Sequence, residues 1–208
     1  MIELRQVVKR IEGVTVLDGL SLQVQQRECV AVVGASGAGK TTLLRLIAGL
    51  DRPDAGQILL RGEEVSSAGI CLPSHERRLG FQFQEPALWP HMTLIENVAY
   101  GVRNHRARAL ECLRSVGLHA LAKRRPGEVS GGEARRAALA RALAPRRDIV
   151  LLDEPLTGLP ASLREGIAAW VAYELRAADA ACLWVTHDAA ETEGLAGRVL
   201  TLADGVLR

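Results

Sequence analysis

Short apolar stretches separated by turn residues dominate the first sixty residues of the chain. They alternate with polar positions or carry β-branched side chains, which predicts strands rather than helices. The predicted strands cover residues 2–8, 14–17, 21–24, 29–33 and 57–60. Only residues 40–49 in this region have helical spacing, with Leu43, Leu44 and Ile47 on one face and Gly49 near the end.

The apolar pattern changes in the remainder of the chain. It is helical from residue 93 to about 124, with a stretch rich in Ala, Arg and Leu at 104–116. Predicted strands at 149–152, 181–185 and 199–202 then alternate with predicted helices at 161–176 and 189–196. Such alternation implies parallel strands joined by right-handed crossovers. We therefore expect an α/β fold with a mainly parallel sheet, an antiparallel N-terminal β portion, and a helical insert at about 88–142.

Composition narrows the class of protein. The 208 residues are 48% hydrophobic and 24% charged, which suits one large globular domain. A formal charge of +2 argues against a nucleic-acid-coating surface. The four cysteines are widely spaced, which favours free thiols in a reducing compartment. No apolar run approaches the ~18–20 residues that span a bilayer, so we expect a cytoplasmic protein that reaches a membrane only through a partner.

A glycine-rich segment between a predicted strand and a predicted helix fits the pattern GxxxxGK[ST]. Its backbone N–H groups and the helix N-terminus can surround phosphate oxygens. Lys40 can reach the β- and γ-phosphates of a nucleotide, and the Thr41 hydroxyl can bind Mg²⁺. The alternative is a glycine-rich turn with a chance lysine. The segment consists of Gly34, Ala35, Ser36, Gly37, Ala38, Gly39, Lys40 and Thr41, followed by Thr42.

Two adjacent acids end the apolar strand in the sequence LLDEPLTGLP at residues 151–160. By itself this pattern is equally typical of a strand that emerges into solvent. Beside a nucleotide site, Asp153 can hold Mg²⁺ and Glu154 can accept a proton from an attacking water. Nucleotide binding needs only the first acid, whereas hydrolysis uses both.

The sequence VSGGE at residues 129–133 precedes a long basic helix. Ser130 and Glu133 have the spacing of a capping box, so the segment can be simply an N-capped helix. The same turn, with Gly131 and Gly132, can also bind an anion through its N–H groups and hydroxyl.

Taken together, five segments in this order resemble the ATP-binding subunits of ABC transporters over nearly the whole chain. GASGAGKT resembles Walker A, FQE at 83–85 the Q-loop, and VSGGE the LSGGQ motif. The strand ending at Asp153 and Glu154 resembles Walker B with its catalytic glutamate, and VTHD at 185–188 the switch-histidine segment. The resemblance implies a single ABC ATPase domain, with residues 1–87 and 143–208 forming the core and β subdomain and 88–142 the helical subdomain.

The resemblance also implies a mechanism and site residues. Two subunits, identical or related, would sandwich two ATP molecules between residues 34–42 of one and 130–132 of the other. Gln84 would contact Mg²⁺ and His187 the γ-phosphate, with Glu154 polarising the water. Gln82 is a local competitor for the role of Gln84, and a histidine after a strand can also be an ordinary core or surface residue.

Residues 83–101, FQEPALWPHMTLIENVAYG, resemble the segment of importer ATPases that lines a groove for a permease. Leu88, Trp89 and Met92 are candidate contacts, although Leu88 and Met92 suit the core of the helical lobe equally well. We thus expect a peripheral protein at the cytoplasmic face of the membrane, with permease subunits, a possible solute-binding protein and no nucleic acid. Because the last predicted strand lies close to Arg208, we expect no C-terminal regulatory domain. The alternatives are a low-activity regulatory cassette and a P-loop small-molecule kinase.

Two positions depart from the family pattern. The family usually stacks an aromatic ring on adenine, and the matching position here is Ile11, with no Phe, Tyr or Trp before Phe81. The family usually reads Ser-Ala-Leu-Asp after Glu-Pro-Leu, whereas this chain reads Thr157-Gly158-Leu159-Pro160. That aspartate normally links the two nucleotide sites of a dimer, so we expect the sites of this chain not to be coupled in the usual way.

The aliphatic Ile11 predicts weak nucleotide affinity and poor discrimination between bases. Restoring a ring by Ile11→Tyr adds a stacking contact of roughly 0.5–1.5 kcal/mol, so ATP should bind about twofold to twelvefold more tightly. Competition against a fluorescent nucleotide measures this, with Ile11→Leu as the control that adds no ring. Equal affinity of the tyrosine variant and the wild-type chain would contradict the prediction.

Overall fold

The computed structural model describes residues 1–102 and 106–208, which form two β-sheets and five α-helices. The strands, in chain order, are β1 Ile2–Ile11, β2 Val14–Val24, β3 Cys29–Val33, β4 Ala55–Leu60, β5 Glu63–Ser66, β6 Gly80–Gln82, β7 Ile149–Asp153, β8 Ala181–Thr186, β9 Arg198–Ala203 and β10 Val206–Leu207. The helices are α1 Lys40–Ala48, α2 Leu94–Ala99, α3 Arg106–Ser115, α4 Gly131–Leu143 and α5 Ala161–Ala177.

The N-terminal strands form an antiparallel sheet in the order β2-β1-β4-β5. The prediction of two strands at 14–17 and 21–24 was wrong, because β2 is continuous. Its Asp18-Gly19 pair suggests a turn, but Gly19 adopts a φ of 61° within the strand. Register shifts between β1 and β2 absorb the irregularity as bulges.

The second sheet has the order β10-β9-β3-β8-β7-β6, and its pairs from β9 to β6 are parallel. The predicted α/β class is therefore confirmed. The parallel pairs place the carboxyl ends of β3, β7 and β8 at one edge of the sheet. Strand β6 was missed in the sequence because three residues are too few to show a period.

Helices α2, α3 and α4 pack around a separate cluster that includes Leu94, Val98, Leu113 and Ala137. The predicted helical region 93–124 is divided among α2, α3 and a short 3₁₀ turn at His119–Leu121. The predicted start of the stretch 104–116 lies outside the described residues. The helix predicted at 189–196 is only a 3₁₀ turn, Ala189–Thr192, because Glu193 is extended and Gly194 has a φ of 74°.

Two further apolar clusters cover the faces of the parallel sheet. One lies between this sheet, α1 and the antiparallel sheet, and the other lies between the sheet and α5. All four cysteines are free thiols, as predicted. None of the helices in the described ranges is long and apolar enough to cross a membrane.

The carboxyl end of α1 is closed by the guanidinium of Arg77, which is 1% exposed. Arg77 donates to the carbonyls of Leu46 and Ile47 at 3.0 and 2.9 Å, and to the Ser66 hydroxyl at 2.7 Å. It also donates to the carbonyls of Leu72 and Val65. A Cβ at Gly49 would overlap this guanidinium, so the glycine leaves room for the arginine. Arg77 thus holds the far end of α1 against the antiparallel sheet.

Replacing Arg77 by Met should destabilise the chain by about 3 kcal/mol, because several buried carbonyls lose their only charged donor. Urea unfolding measures the change in the free energy of unfolding. The matched control is Arg78→Met, since Arg78 is the exposed neighbour. A loss no larger than that of the control would contradict this account.

Candidate functional site

The glycine-rich segment forms a loop from the end of β3 to the start of α1. Gly37 and Gly39 have φ values of 81° and 99°, which L side chains rarely adopt. A Cβ at Gly34 would lie 2.5 Å from the Leu202 carbonyl oxygen. Any residue with a side chain at this position would therefore prevent the loop backbone from approaching β9 so closely. Among the described residues no side chain caps the N-terminus of α1, whose first N–H groups are thus available to an anion.

Lys40 lies across this loop and is only 7% exposed. Its ammonium donates to the carbonyls of Gly34 at 2.7 Å and Ala35 at 2.9 Å. The loop therefore holds a positive charge at its centre. Carbonyl oxygens are weaker partners for an ammonium than phosphate oxygens, so a phosphate can displace them.

Thr41 and Asp153 meet between α1 and the end of β7. The Thr41 hydroxyl donates to the Asp153 carboxylate at 2.9 Å, and Asp153 is 2% exposed. Burial raises the pKa of Asp153, while the Thr41 hydrogen bond opposes the rise. A hydroxyl and a carboxylate are the hard oxygen ligands that Mg²⁺ takes, so the pair fits that ion.

Glu154, one residue beyond β7, has a φ of 49°, an uncommon conformation for a residue with a side chain. Its N–H donates to the Val185 carbonyl at 2.9 Å, which ties it to the neighbouring strand. One Glu154 carboxylate oxygen lies 3.3 Å from Nδ1 of His187. The strained turn therefore directs the second acid toward the histidine that follows β8.

Glu191 supports the turn after β8 and was not identified from the sequence. It is 6% exposed and accepts a hydrogen bond from the Thr186 hydroxyl at 2.7 Å. The Thr186 hydroxyl in turn accepts from the Asp188 N–H at 3.1 Å. The backbone on both sides of His187 is thus fixed. The available signal in the sequence was an acidic residue, Glu191, four residues after His187.

Most of the predicted loop residues and Glu154 line one cleft of about 250 Å³, whereas Asp153 is not among its lining residues. Gln84 lines it, whereas Gln82 is 1% exposed and donates to the Phe83 carbonyl at 2.9 Å. The structure thus favours Gln84 over Gln82. The cleft is lined by Ile11, Val16, Ser36, Gly37, Gly39, Lys40, Thr41, Thr42, Gln84 and Glu154.

Ile11 is 45% exposed at the rim of this cleft. With Val16 it forms an aliphatic surface beside the phosphate loop. Ala35 and Ala38 are part of the loop itself, where the Ala38 N–H donates to the Ala35 carbonyl at 3.2 Å. Ala35 and Ala38 do not line the cleft, and they therefore contribute to the conformation of the loop backbone.

The turn at Ser130 lies apart from the residues that line the cleft. Ser130 is the N-cap of α4 and forms a reciprocal capping box with Glu133, at 3.3 Å and 2.7 Å. Ser130 and Gly131 are exposed, and a Cβ at Gly131 would meet no atom within 4 Å. The predicted capping box is therefore present, and Ser130 and Gly131 remain exposed with it in place.

A second concavity, of about 390 Å³, lies between the parallel sheet and the helical region. Its apolar wall includes Phe81, Phe83, Trp89 and Tyr100, and the rings of Trp89 and Tyr100 are 4.3 Å apart. Of the three candidate contacts, Trp89 lines this groove, and Leu88 packs against the core of the helical region instead.

Pro160 is exposed at the N-terminus of α5, where its carbonyl accepts from the Leu163 N–H at 2.9 Å. Leu156 and Leu159 of the same loop are buried. The loop is therefore anchored by its leucines, and the proline fits the helix start without disturbing it.

Comparisons with known proteins agree with this arrangement. The family model described as "ABC transporter" matches residues 17–157, well over half of the chain. An Fe(3+) ions import ATP-binding protein of Pectobacterium atrosepticum is 42% identical over 100% of this chain and 61% of its own length. A sulfate/thiosulfate import ATP-binding protein of Pseudomonas aeruginosa is also 42% identical, over 99% of this chain and 65% of its own length. The chain thus spans less than two thirds of the length of these relatives.

Solved structures extend the comparison to three dimensions. A dimeric bacterial ABC transporter cassette superposes with a TM-score of 0.89 at 30% identity, covering 100% of this chain and 97% of that one. A dimeric cassette in a post-hydrolysis state, bound to ADP and Pi, gives a TM-score of 0.88 at 29% identity with the same coverage. On the family match, the fold and the order of its sequence motifs, this chain belongs to the ABC transporter family of ATP-binding cassettes.

Proposed function

We propose that the chain hydrolyses ATP and thereby energises the transport of a solute across a membrane through a separate permease, as part of an importer. The observation that carries this proposal is the cleft that the phosphate loop shares with Glu154 and Gln84, with the buried Asp153 bonded to Thr41 of that loop. Binding alone would use the loop and Asp153. Glu154 beside them adds a base for hydrolysis.

The phosphate loop would hold the nucleotide. Its N–H groups and the N-terminus of α1 bind phosphate oxygens, and Lys40 turns from the Gly34 and Ala35 carbonyls to the β- and γ-phosphates. Ile11 and Val16 would contact the base by apolar packing. The proposed nucleotide ligands are Gly34, Ala35, Ser36, Gly37, Ala38, Gly39, Lys40, Thr41, Thr42 and Ile11.

Thr41, Asp153 and Gln84 would hold Mg²⁺, and their side chains offer a hydroxyl, a carboxylate and an amide oxygen. When bound, the ion supplies positive charge that neutralises the phosphate oxygens. Asp153 must be ionised in that role. Its raised pKa in the free chain therefore falls when positive charge arrives beside it.

Glu154 would accept a proton from the water that attacks the γ-phosphate. His187 would hold the γ-phosphate and keep the Glu154 carboxylate oriented, since the two side chains already lie 3.3 Å apart. The φ of 49° at Glu154 positions the carboxylate before the substrate arrives. Both groups follow paired strands, so their separation is set by the sheet.

Ser130, Gly131 and Gly132 would bind the γ-phosphate held by a second cassette, either another copy of this chain or a related one. The exposure of Ser130 and Gly131 outside the cleft supports this role in trans. Two such chains related by a two-fold axis bury the same surface on each, so one chain type suffices. The two similar solved cassettes are described as dimeric.

The groove beside Trp89 would receive a helix of the permease. Its aromatic wall and its position between the core, residues 1–87 and 143–208, and the helical subdomain, residues 88–142, support this role. We place the chain at the cytoplasmic face of the membrane as a peripheral subunit. A solute-binding protein would complete the importer, and no nucleic acid takes part.

Import is favoured over export by the relatives. Those compared above are named for the import of Fe(3+) ions and of sulfate or thiosulfate, and a 38% identical relative from Escherichia coli for putrescine transport. The diversity of these solutes at similar identity implies that the permease and the binding protein select the solute.

A second candidate is a cassette that binds ATP, hydrolyses it slowly and regulates a more active partner. Pro160 favours it, because a proline side chain cannot accept the hydrogen bond that an aspartate would offer across a dimer.

Glu154→Gln should lower kcat for ATP hydrolysis about 100-fold or more while ATP binding is retained, because the amide keeps the shape but cannot accept the proton. Phosphate release measures the rate, and size-exclusion chromatography with ATP should show a dimer of the variant. The control is Glu165→Gln on the exposed face of α5. An unchanged rate would contradict hydrolysis at this site, and phosphate transfer to a small molecule would indicate a kinase.

Pro160→Asp should raise ATPase activity about twofold or more, or make it more cooperative in ATP, because it restores an acceptor between the two sites. Pro160→Ala is the control that removes the ring and adds no carboxylate. Steady-state rates against ATP concentration measure both properties. No change in either would show that the loop couples the sites differently, and an equal change in the control would assign the effect to the ring.

A further inference from the structure

Arg141 connects α4 to the chain just after Gln84. Its guanidinium donates to the Ala87 carbonyl at 2.7 Å and to the Pro86 carbonyl at 3.1 Å. It also lies 4.9 Å from the ring centre of Trp89, as a cation–π contact. Burial lowers the pKa of this guanidinium, which remains charged at neutral pH. Contacts from Pro86, Ala87 and Trp89 thus converge on one side chain.

The backbone that Arg141 holds is strained. Ala87 has a φ of 43°, a conformation that persists only where the surroundings impose it. On the far side of this turn the fully buried Asn97 side chain accepts from the Trp89 N–H at 2.8 Å. Its amide donates to the carbonyls of Trp89, Met92 and Thr93 at 3.1 to 3.2 Å. Two side chains therefore fix residues 86–93 from opposite sides.

We propose that Arg141 is a positioning residue for hydrolysis: by binding the Pro86 and Ala87 carbonyls, it fixes the turn that presents Gln84 to the nucleotide cleft. This inference rests on the proposed ATPase function. Gln84 is exposed, and its direction depends on the backbone that follows it. A guanidinium suits the task because its planar fork reaches two carbonyls at once.

The proposal separates two kinetic effects. Arg141 is not among the residues that line the cleft with the phosphate loop, so ATP affinity should survive its loss. The placement of Gln84 should become variable, which lowers the turnover of bound ATP. A general loss of folding would instead lower the active fraction without changing the Mg²⁺ dependence of the remaining enzyme.

The experiment compares the wild-type chain with Arg141→Met, Arg141→Lys and the control Arg147→Met. Arg147 lines the same groove, and the structure describes no hydrogen bond from its side chain. Hydrogen exchange in the nucleotide-free chain should be about fivefold faster or more at residues 84–90 of Arg141→Met and unchanged in the control. Its kcat should fall about tenfold with the KM for ATP within twofold, and half-saturation should need about threefold more Mg²⁺.

Unchanged exchange at 84–90 would overturn the proposal, whatever the ATPase rates show. Faster hydrogen exchange at 84–90 with unchanged kcat and Mg²⁺ dependence would overturn it too. The hydrogen bonds of Arg141 would then have no effect on Gln84. If Arg141→Met does not fold, Arg141→Lys decides by the same measures, because one ammonium cannot reproduce the fork. If the wild-type chain hydrolyses no ATP, the proposed function fails. In that case, hydrogen exchange at residues 84–90 and the Mg²⁺ dependence of ATP binding decide the role of Arg141.

Discussion

The parallel pairing of β3, β8 and β7 is the constraint on which the site depends. Val33 pairs with Thr186, and Asp153 pairs with Val185, so the three strands end at the same edge of the sheet. Each strand then delivers a different group there: the phosphate loop, the histidine and the two acids. A slip of one residue along any of these strands would move its group to the other face of the sheet. The apolar faces that fix the register are thus also what fixes the chemistry.

Polar groups at this edge are arranged against the usual preferences of a folded chain. Asp153 and Lys40 are charged groups that are almost fully buried, and Glu154 has a positive φ. Each arrangement costs free energy unless local partners offset it. Thr41 and the loop carbonyls offset part of the cost in the free chain. The part of this free-energy cost that remains in the free chain can be offset by a bound ligand. A ligand with negative phosphates and a divalent cation supplies the opposite charges, which is why these groups fit such a ligand.

The sequence predicted the elements that carry strong local patterns. The strand, glycine loop and helix at 29–49 were identifiable because apolar period, glycines and lysine coincide within twenty-one residues. Strand β6 was not identifiable, since three residues show no period. The choice between Gln82 and Gln84 depends on which of them is buried, which the sequence does not state. Arg77 and Arg141 act through contacts with backbone that is distant in the sequence. Asn97 and Glu191 act on nearby residues. None of these contacts leaves a periodic signal along the chain.

Helix α4 connects two regions that would act on different nucleotides. Its N-terminus carries the exposed Ser130 turn, which would face the ATP of a second cassette, and Arg141 near its other end holds the turn after the chain's own Gln84. The turns of α4 are joined by backbone hydrogen bonds along its axis. In the proposed dimer, a displacement of the Ser130 turn on a partner's nucleotide would be carried along α4 to Arg141 and the Gln84 segment. This route would connect the two proposed sites without the aspartate that Pro160 replaces.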